Sequence, residues 1–162
     1  MMGRALLIVG TMATLGVAAT AALGYLLSSP TDAHMPRHVL VGLASSLLLL
    51  FSHCWIMFYL IGTGKAIKEA VQEHGLDPAF AEETKRFKNL SYPWLMLAMA
   101  LVMATFILGG GVATGSIPSW VHHVLFYAAL LAQGYALWIE WRVLGDNERL
   151  MAAVDRRLAA AL

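Results

Sequence analysis

The stretch VLVGLASSLLLLFSHCWIMFYLI, residues 39–61, decides the fold class of this chain. It carries no Asp, Glu, Lys or Arg, and it exceeds the roughly 20 residues that a helix needs to cross the hydrocarbon core of a bilayer. Three further apolar runs of similar length occupy about residues 5–27, 92–112 and 120–143. The sequence therefore predicts an all-α integral membrane protein, a four-transmembrane-helix bundle with up-down-up-down topology.

The overall composition supports this class. The 162 residues are 59% hydrophobic and 13% charged, whereas about a quarter of a soluble domain is charged. The net charge of +1 gives no support to nucleic-acid binding. A single cysteine, Cys54, excludes an intrachain disulfide and a cysteine-based zinc site. Because no Ser–His–Asp set or carboxylate pair is evident, no catalytic residue is assigned, and a stand-alone enzyme is less favoured than an electron-transfer or accessory subunit.

The basic residues predict the orientation in the membrane. With the N-terminus inside, ten of the eleven Lys and Arg residues fall on the cytoplasmic side, and only Arg37 lies outside. The run at residues 5–27 is longer than the roughly 7–15 apolar residues of a signal peptide, so it is interpreted as a helix of the mature protein. We expect a multi-pass protein of the bacterial cytoplasmic (inner) membrane, in contact with the lipid bilayer, with both termini cytoplasmic.

The segment between the second and third spans predicts a cytoplasmic helical hairpin over residues 63–91. Gly75 is a suitable C-terminal stop for the first helix of the hairpin. Asp77 and Pro78 supply an N-cap and a first-turn proline for the second helix. These residues predict two helices that extend past the membrane and turn tightly between Gly75 and Asp77.

The end of the chain predicts a separate element. Gly145 and Asp146 indicate a break after the fourth span. The sequence therefore predicts a four-helix membrane domain over residues 1–145 and an amphipathic C-terminal cytoplasmic tail over 146–162. The tail is expected to lie on the membrane surface or against the hairpin.

The histidines are the most informative side chains. The topology places four of the six near the outer membrane face, namely His34, His38, His122 and His123. If the second and fourth helices face each other, His38 meets one residue of the adjacent pair at a similar depth. Which of the two faces inward is left open, because neighbouring residues diverge by about 100° around a helix. Two imidazoles from facing helices are the axial ligands that a haem iron needs.

Three consecutive glycines, residues 109–111, fall at the same depth as these histidines. Consecutive glycines disfavour a helix, so they indicate a steric requirement such as a flat macrocycle beside Gly110, a bend or a close helix crossing. In size, helix count and histidine placement the chain resembles the small b-type cytochrome subunits that anchor redox complexes. The placement of the histidines leads to the hypothesis of haem b near the outer face, held by His38 and by His122 or His123. Electrons would then pass between a membrane quinone and an outer-face partner.

His53 is a second candidate cofactor ligand. It lies about 22 Å beyond His38 along the same helix, in the inner half of the membrane, where a titratable side chain indicates function. A hydrogen bond to a Ser or Gln side chain within the bundle is the competing interpretation. Glu140, next to Trp141 and Arg142, is interpreted as an interfacial carboxylate without a catalytic role.

Two other functions fit the same sequence features. The chain could be a non-catalytic accessory or assembly subunit whose helices pack against a larger membrane complex. It could also be an outer-face copper- or zinc-binding protein that uses His34, His38, His122 and His123 as metal ligands. Haem binding requires His38, whereas an accessory role requires none of the four histidines.

Overall fold

The computed structural model describes residues 2–27 and 32–161, and every regular element in these ranges is an α-helix. The helices are α1 (Met2–Tyr25), α2 (Met35–His74), α3 (Ala79–Ala113) and α4 (Ser119–Ala161). All four are long and apolar enough to cross a membrane. The predicted class, a four-helix membrane bundle, is confirmed.

The helices pack as a closed bundle. Each helix contacts the next along the chain, α1 also contacts α4, and α2 contacts α4 across the diagonal. Large apolar side chains on the outward faces stay exposed, as expected for a surface that meets lipid tails; they include Leu47, Phe51, Phe58, Met96, Ile107 and Leu131. The diagonal contact matters most for function, because it brings the inward faces of α2 and α4 together.

The helices differ in length, and this gives the bundle two unlike ends. At 1.5 Å per residue α1 spans about 36 Å, close to the roughly 30 Å thickness of a bilayer core. By the same rise, α2, α3 and α4 span about 50–65 Å and must extend beyond the bilayer. They do so at the end that contains the α2–α3 turn, here called the hairpin end. The opposite end, which contains His38 and His122, is called the histidine end.

The turn at the hairpin end forms as the sequence predicts. Gly75 ends α2 in the left-handed region, with φ +63°, and the Leu76 amide donates to the carbonyl of Val71 over 3.2 Å. The Asp77 carboxylate then accepts a hydrogen bond from the Ala79 amide over 2.8 Å at the start of α3. Only glycine adopts the conformation of residue 75 without steric cost, so this residue fixes the turn.

The predicted break at Gly145 and Asp146 is wrong. α4 runs unbroken through both residues to Ala161, so residues 146–161 continue α4 and are not a separate tail element. A glycine inside a helix costs about 1 kcal/mol, but Leu144 and Asn147 on either side are each 1% exposed. Asn147 also accepts a hydrogen bond from Thr63 of α2 over 3.2 Å. Packing against α2 therefore outweighs the local preference for a break.

Two glycine substitutions in α2 and its cap test this account of the hairpin. We expect Gly75→Ala to lower the free energy of unfolding by roughly 1 kcal/mol, because alanine is strained in the left-handed region. Gly62→Ala is the matched control: Gly62 lies within α2, and no atom stands within 4 Å of its Cβ position. The control should raise stability by about 0.5–1 kcal/mol. Reversible unfolding in mixed micelles measures both values, and a shift in the same direction for both variants contradicts the account.

Candidate functional site

A cavity of about 810 Å³ opens between the helices at the histidine end. Its volume lies in the range of roughly 300–1,000 Å³ that is typical of ligand pockets. Its lining is largely apolar and includes Val17, Val102, Phe106 and Phe126. Three of the histidines singled out from the sequence, His38, His122 and His123, also line it.

His38 is held against α1 by a hydrogen bond to the backbone. Its Nδ1 lies 2.9 Å from the carbonyl oxygen of Thr20, and its ring packs on Gly24, where a Cβ would stand 2.9 Å from Cε1. In a helix, the side chain of the residue four positions later covers a given carbonyl. A glycine at that position, as at Gly24 for the Thr20 carbonyl, leaves the oxygen open to a second donor. Because a carbonyl only accepts, Nδ1 carries the proton, and Nε2 keeps a lone pair.

His122 repeats this arrangement on the other half of the bundle. Its Nδ1 lies 3.0 Å from the carbonyl oxygen of Thr105, and its ring packs on Gly109, where a Cβ would stand 3.0 Å from Cε1. The spacing Thr-x-x-x-Gly thus occurs once in α1 and once in α3, and each time it receives a histidine from the following helix. The two imidazole rings have centroids 6.5 Å apart and planes inclined by 77°.

The other outer histidines are placed differently. His123 is exposed and stacks on Tyr25 with ring centroids 6.0 Å apart, so His122 is the member of the pair that is fixed toward His38. His34 is exposed at the start of α2, outside the cavity lining. Within residues 2–27 and 32–161, no group of three or more His, Cys, Asp or Glu side chains could hold a metal ion. The four predicted ligands therefore do not form one cluster.

The three consecutive glycines of α3 have three separate roles. Gly109 admits the ring of His122, and Gly111 admits Ile117, whose Cδ1 would lie 2.6 Å from a Cβ at that position. Gly110 lines the cavity, and no atom stands within 4 Å of its Cβ position. The steric requirement expected from the sequence is thus present at Gly109 and Gly111, while Gly110 leaves open space at the cavity wall.

A second polar site is buried nearer the middle of the bundle. His53 is 0% exposed, and its Nδ1 lies 2.5 Å from Oε1 of Glu140, which is also 0% exposed. Its Nε2 lies 2.9 Å from Oε1 of Gln133. The Gln133 amide donates to the Thr14 hydroxyl over 3.0 Å, and that hydroxyl donates to the carbonyl of Gly10 over 2.8 Å. One hydrogen-bonded chain thus joins α1, α2 and α4.

This site shows what sequence reasoning missed about Glu140. The interpretation of Glu140 as an interfacial carboxylate is wrong, because α4 turns it into the bundle and leaves Trp141 exposed. A signal for this burial exists in the sequence: the polar residues Gln133, Glu140 and Asn147 follow one another at seven-residue intervals, and all three are buried. Both ring nitrogens of His53 are engaged, which leaves no nitrogen for the cofactor ligation predicted from the sequence.

Comparisons with known proteins add no functional information. No family model matches the chain, and no curated protein or solved structure is significantly similar to it. What the protein does must therefore be inferred from the cavity and from the buried pair.

The hydrogen bond that joins His38 to α1, and the one that joins His122 to α3, each have a direct spectroscopic signature. We expect side-chain ¹⁵N NMR to show His38 and His122 as neutral rings protonated at Nδ1. Gly24→Ala should remove this signature from His38 alone, because the added methyl would stand 2.9 Å from Cε1. Gly110→Ala is the control and should change neither histidine. An unchanged His38 signal in Gly24→Ala would contradict the geometry.

Two threonines on α1 test the buried chain of hydrogen bonds. Thr14→Val removes the acceptor of the Gln133 amide and should lower the free energy of unfolding by about 1–3 kcal/mol, the usual effect of leaving a buried donor unpaired. Thr11→Val is the matched control, since Thr11 is exposed and bonds only its own helix, at the carbonyl of Leu7. The control should stay within about 0.5 kcal/mol of wild type. Equal effects of both changes would show that this chain of hydrogen bonds contributes nothing to the stability of the protein.

Proposed function

We propose that this protein is a small membrane-embedded, b-type cytochrome-like subunit. It binds haem b in the cavity at the histidine end and passes electrons between a membrane quinone and a partner protein. The observation that carries this proposal is the pair of tethered imidazoles, His38 and His122, on diagonal helices with their ring centroids 6.5 Å apart. The resemblance in size and helix count to b-type cytochrome subunits supports the same assignment.

The separation of the two rings matches axial ligation of one iron. An imidazole nitrogen binds a metal at about 2.0 Å and lies roughly 1.1 Å from its own ring centroid, so two rings that held one iron between them would have centroids about 6.2 Å apart. The observed 6.5 Å fits this value. Each ring is a neutral donor with its Nδ1 proton bonded to a helix carbonyl, which is the outer-sphere contact that orients metal-bound histidines.

The remainder of the cavity fits a flat, mostly apolar macrocycle. Val17, Val102 and Phe126 supply apolar contact, and Gly110 leaves room for close approach. Tyr25 and Ser119 also line the cavity and carry donors that suit carboxylate groups such as the haem propionates. Bound iron supplies a one-electron change between ferric and ferrous states. The apolar lining limits solvent access and thereby helps to set the potential.

The alternatives fit the cavity less well. Zinc sites use three or four protein ligands, and the described part of the chain brings no three candidate ligands together. Haem needs only two protein ligands, the role that we propose for His38 and His122. An accessory subunit gives no reason for two histidines to be tethered identically over glycines at one depth.

The charge distribution supports an orientation for this function. Lys65, Lys85 and Arg86 are exposed at the hairpin end, which by the positive-inside rule supports the proposal that this end faces the cytoplasm. The cavity then opens toward the outer face, where an electron-transfer partner has access. The three-helix extension at the hairpin end offers a second surface for assembly with a larger complex.

Absorption spectroscopy of the purified protein tests the proposal. The wild type, prepared from haem-replete cells, should show a sharp Soret band with α and β bands after reduction by dithionite. His38→Ala and His122→Ala should each lose or strongly shift these bands, because each removes one axial ligand. His123→Ala is the matched control next in sequence and should keep the wild-type spectrum.

The same experiment separates the alternatives. A colourless wild-type protein contradicts the haem assignment. Bands that depend on His123 and not on His122 contradict the ligand assignment. If the larger membrane complex of the accessory alternative keeps its full activity in cells with each of the three variants, the histidines have no role. The accessory function then replaces the proposal.

A further inference from the structure

We propose that His53 and Glu140 form a membrane-embedded proton-binding site that takes up and releases one proton. This goes beyond the proposed haem function, since the pair lies about 22 Å along α2 from His38 and uses neither axial ligand. The ligand of this His53–Glu140 site is a proton, which water delivers. Titratable side chains within a membrane bundle mark proton or ion pathways far more often than they serve packing.

The hydrogen-bond chain fixes where the protons are. The Thr14 hydroxyl donates to the carbonyl of Gly10, so it accepts from the Gln133 amide nitrogen. This orients the Gln133 amide with its oxygen toward His53, and an amide oxygen only accepts. Nε2 of His53 therefore carries a proton in every state of the pair.

One proton is then left to be shared between Nδ1 of His53 and Oε1 of Glu140. These atoms lie 2.5 Å apart, close enough for a direct hydrogen bond between them. With that proton present the pair is neutral overall, whichever atom holds it. Both side chains are 0% exposed, so the number of protons on the pair decides whether the bundle interior carries a net charge.

The second carboxylate oxygen of Glu140 indicates that this pair exchanges its proton. Glu140 Oε2 is buried and has no hydrogen-bond partner, although buried polar atoms are almost always paired. Gly10 leaves space beside it: a Cβ at residue 10 would lie 3.6 Å from Oε2 and 3.9 Å from the Ser52 hydroxyl oxygen. A water molecule that reached Oε2 beside Gly10 would carry the proton to and from Glu140.

Leu137 contacts both this position and a groove at the surface of the bundle. Leu137 Cδ1 lies 3.7 Å from the same Cβ position at Gly10. Leu137 also lines a groove of about 380 Å³ along α1 and α4, together with Leu7, Thr11 and Trp138. A change of rotamer at Leu137 would therefore connect the Glu140 carboxylate to the groove, which gives the proton a route in and out.

Other titratable groups near this level are turned away from the pair or engaged elsewhere. On α2, the exposed Cys54 thiol contacts the Met99 sulfur of α3 at 4.0 Å. On α3, the Tyr92 hydroxyl donates to the carbonyl of Met57 over 2.9 Å. On α4, Arg142 lies over the Trp138 ring at 4.9 Å, on the outer side. α1 contributes no titratable side chain between Arg4 and Tyr25.

Infrared difference spectroscopy of the protein in lipid tests the proposal. Spectra are taken between mildly acidic and mildly alkaline pH with the protein kept oxidised, so that the result does not depend on whether haem is present. We expect a carboxyl or imidazole difference band that is lost in Glu140→Gln. Glutamine is nearly isosteric and can donate to Nδ1 of His53, so this variant should fold. Glu69→Gln, which removes an exposed carboxylate, is the matched control and should keep the band.

A second variant tests the route to Oε2. Gly10→Ala places its Cβ no closer than 3.6 Å to any neighbour, so it should fold and leave the pair intact. The added methyl fills the space proposed for water, and the band should form roughly tenfold more slowly after a pH jump, the effect of losing one hydrogen-bonding position. Superimposable difference spectra of wild type and Glu140→Gln would overturn the proposal and leave the pair with a structural role. An unchanged rate in Gly10→Ala would overturn the route.

Discussion

The hydrogen bond from a histidine Nδ1 to the carbonyl of a neighbouring helix organises the histidine end of this protein. It uses a carbonyl that is open to a second donor, and a glycine four positions later in a helix leaves the carbonyl open in this way. Gly24 and Gly109 meet this requirement for His38 and His122. Because the bond holds the proton of the neutral ring on Nδ1, it leaves Nε2 available for the proposed ligand role, so one backbone constraint sets the ring position and the tautomer.

The middle of the bundle follows a different principle, in which polar groups satisfy one another across three helices. A buried histidine and carboxylate would each be costly alone inside a membrane, and they are tolerated because His53, Glu140, Gln133 and Thr14 form a continuous chain. The apolar core on either side, with Leu6, Ile56 and Ile139 toward the hairpin end and Ala13, Leu49 and Val102 toward the histidine end, excludes other partners. Among the buried side chains that the structure describes, Oε2 of Glu140 is the oxygen left without a partner, and it supports the proposed proton site.

Much of the fold could be predicted from the sequence because lipid imposes simple rules on length and charge. The four spans, the turn at Gly75 and the common depth of His38 and the His122–His123 pair all follow from such rules. The rotation of α4 does not, since packing alone sets it; this left the choice between His122 and His123 open and led to the wrong interpretation of Glu140. The helix end predicted at Gly145 was wrong because packing again outweighed the local preference. The buried Leu144 and Asn147 on either side keep α4 helical at this point.

Electron paramagnetic resonance of the oxidised protein tests most directly the central proposal, that His38 and His122 would together hold one haem iron. The imidazole planes are inclined by 77°, and near-perpendicular axial rings give low-spin ferric haem a strongly anisotropic signal with one large g value. We expect this signal in the wild type and its replacement by a high-spin signal in His122→Ala. A rhombic low-spin signal, typical of parallel rings, would contradict the ring geometry, and the absence of any ferric haem signal would contradict the claim itself.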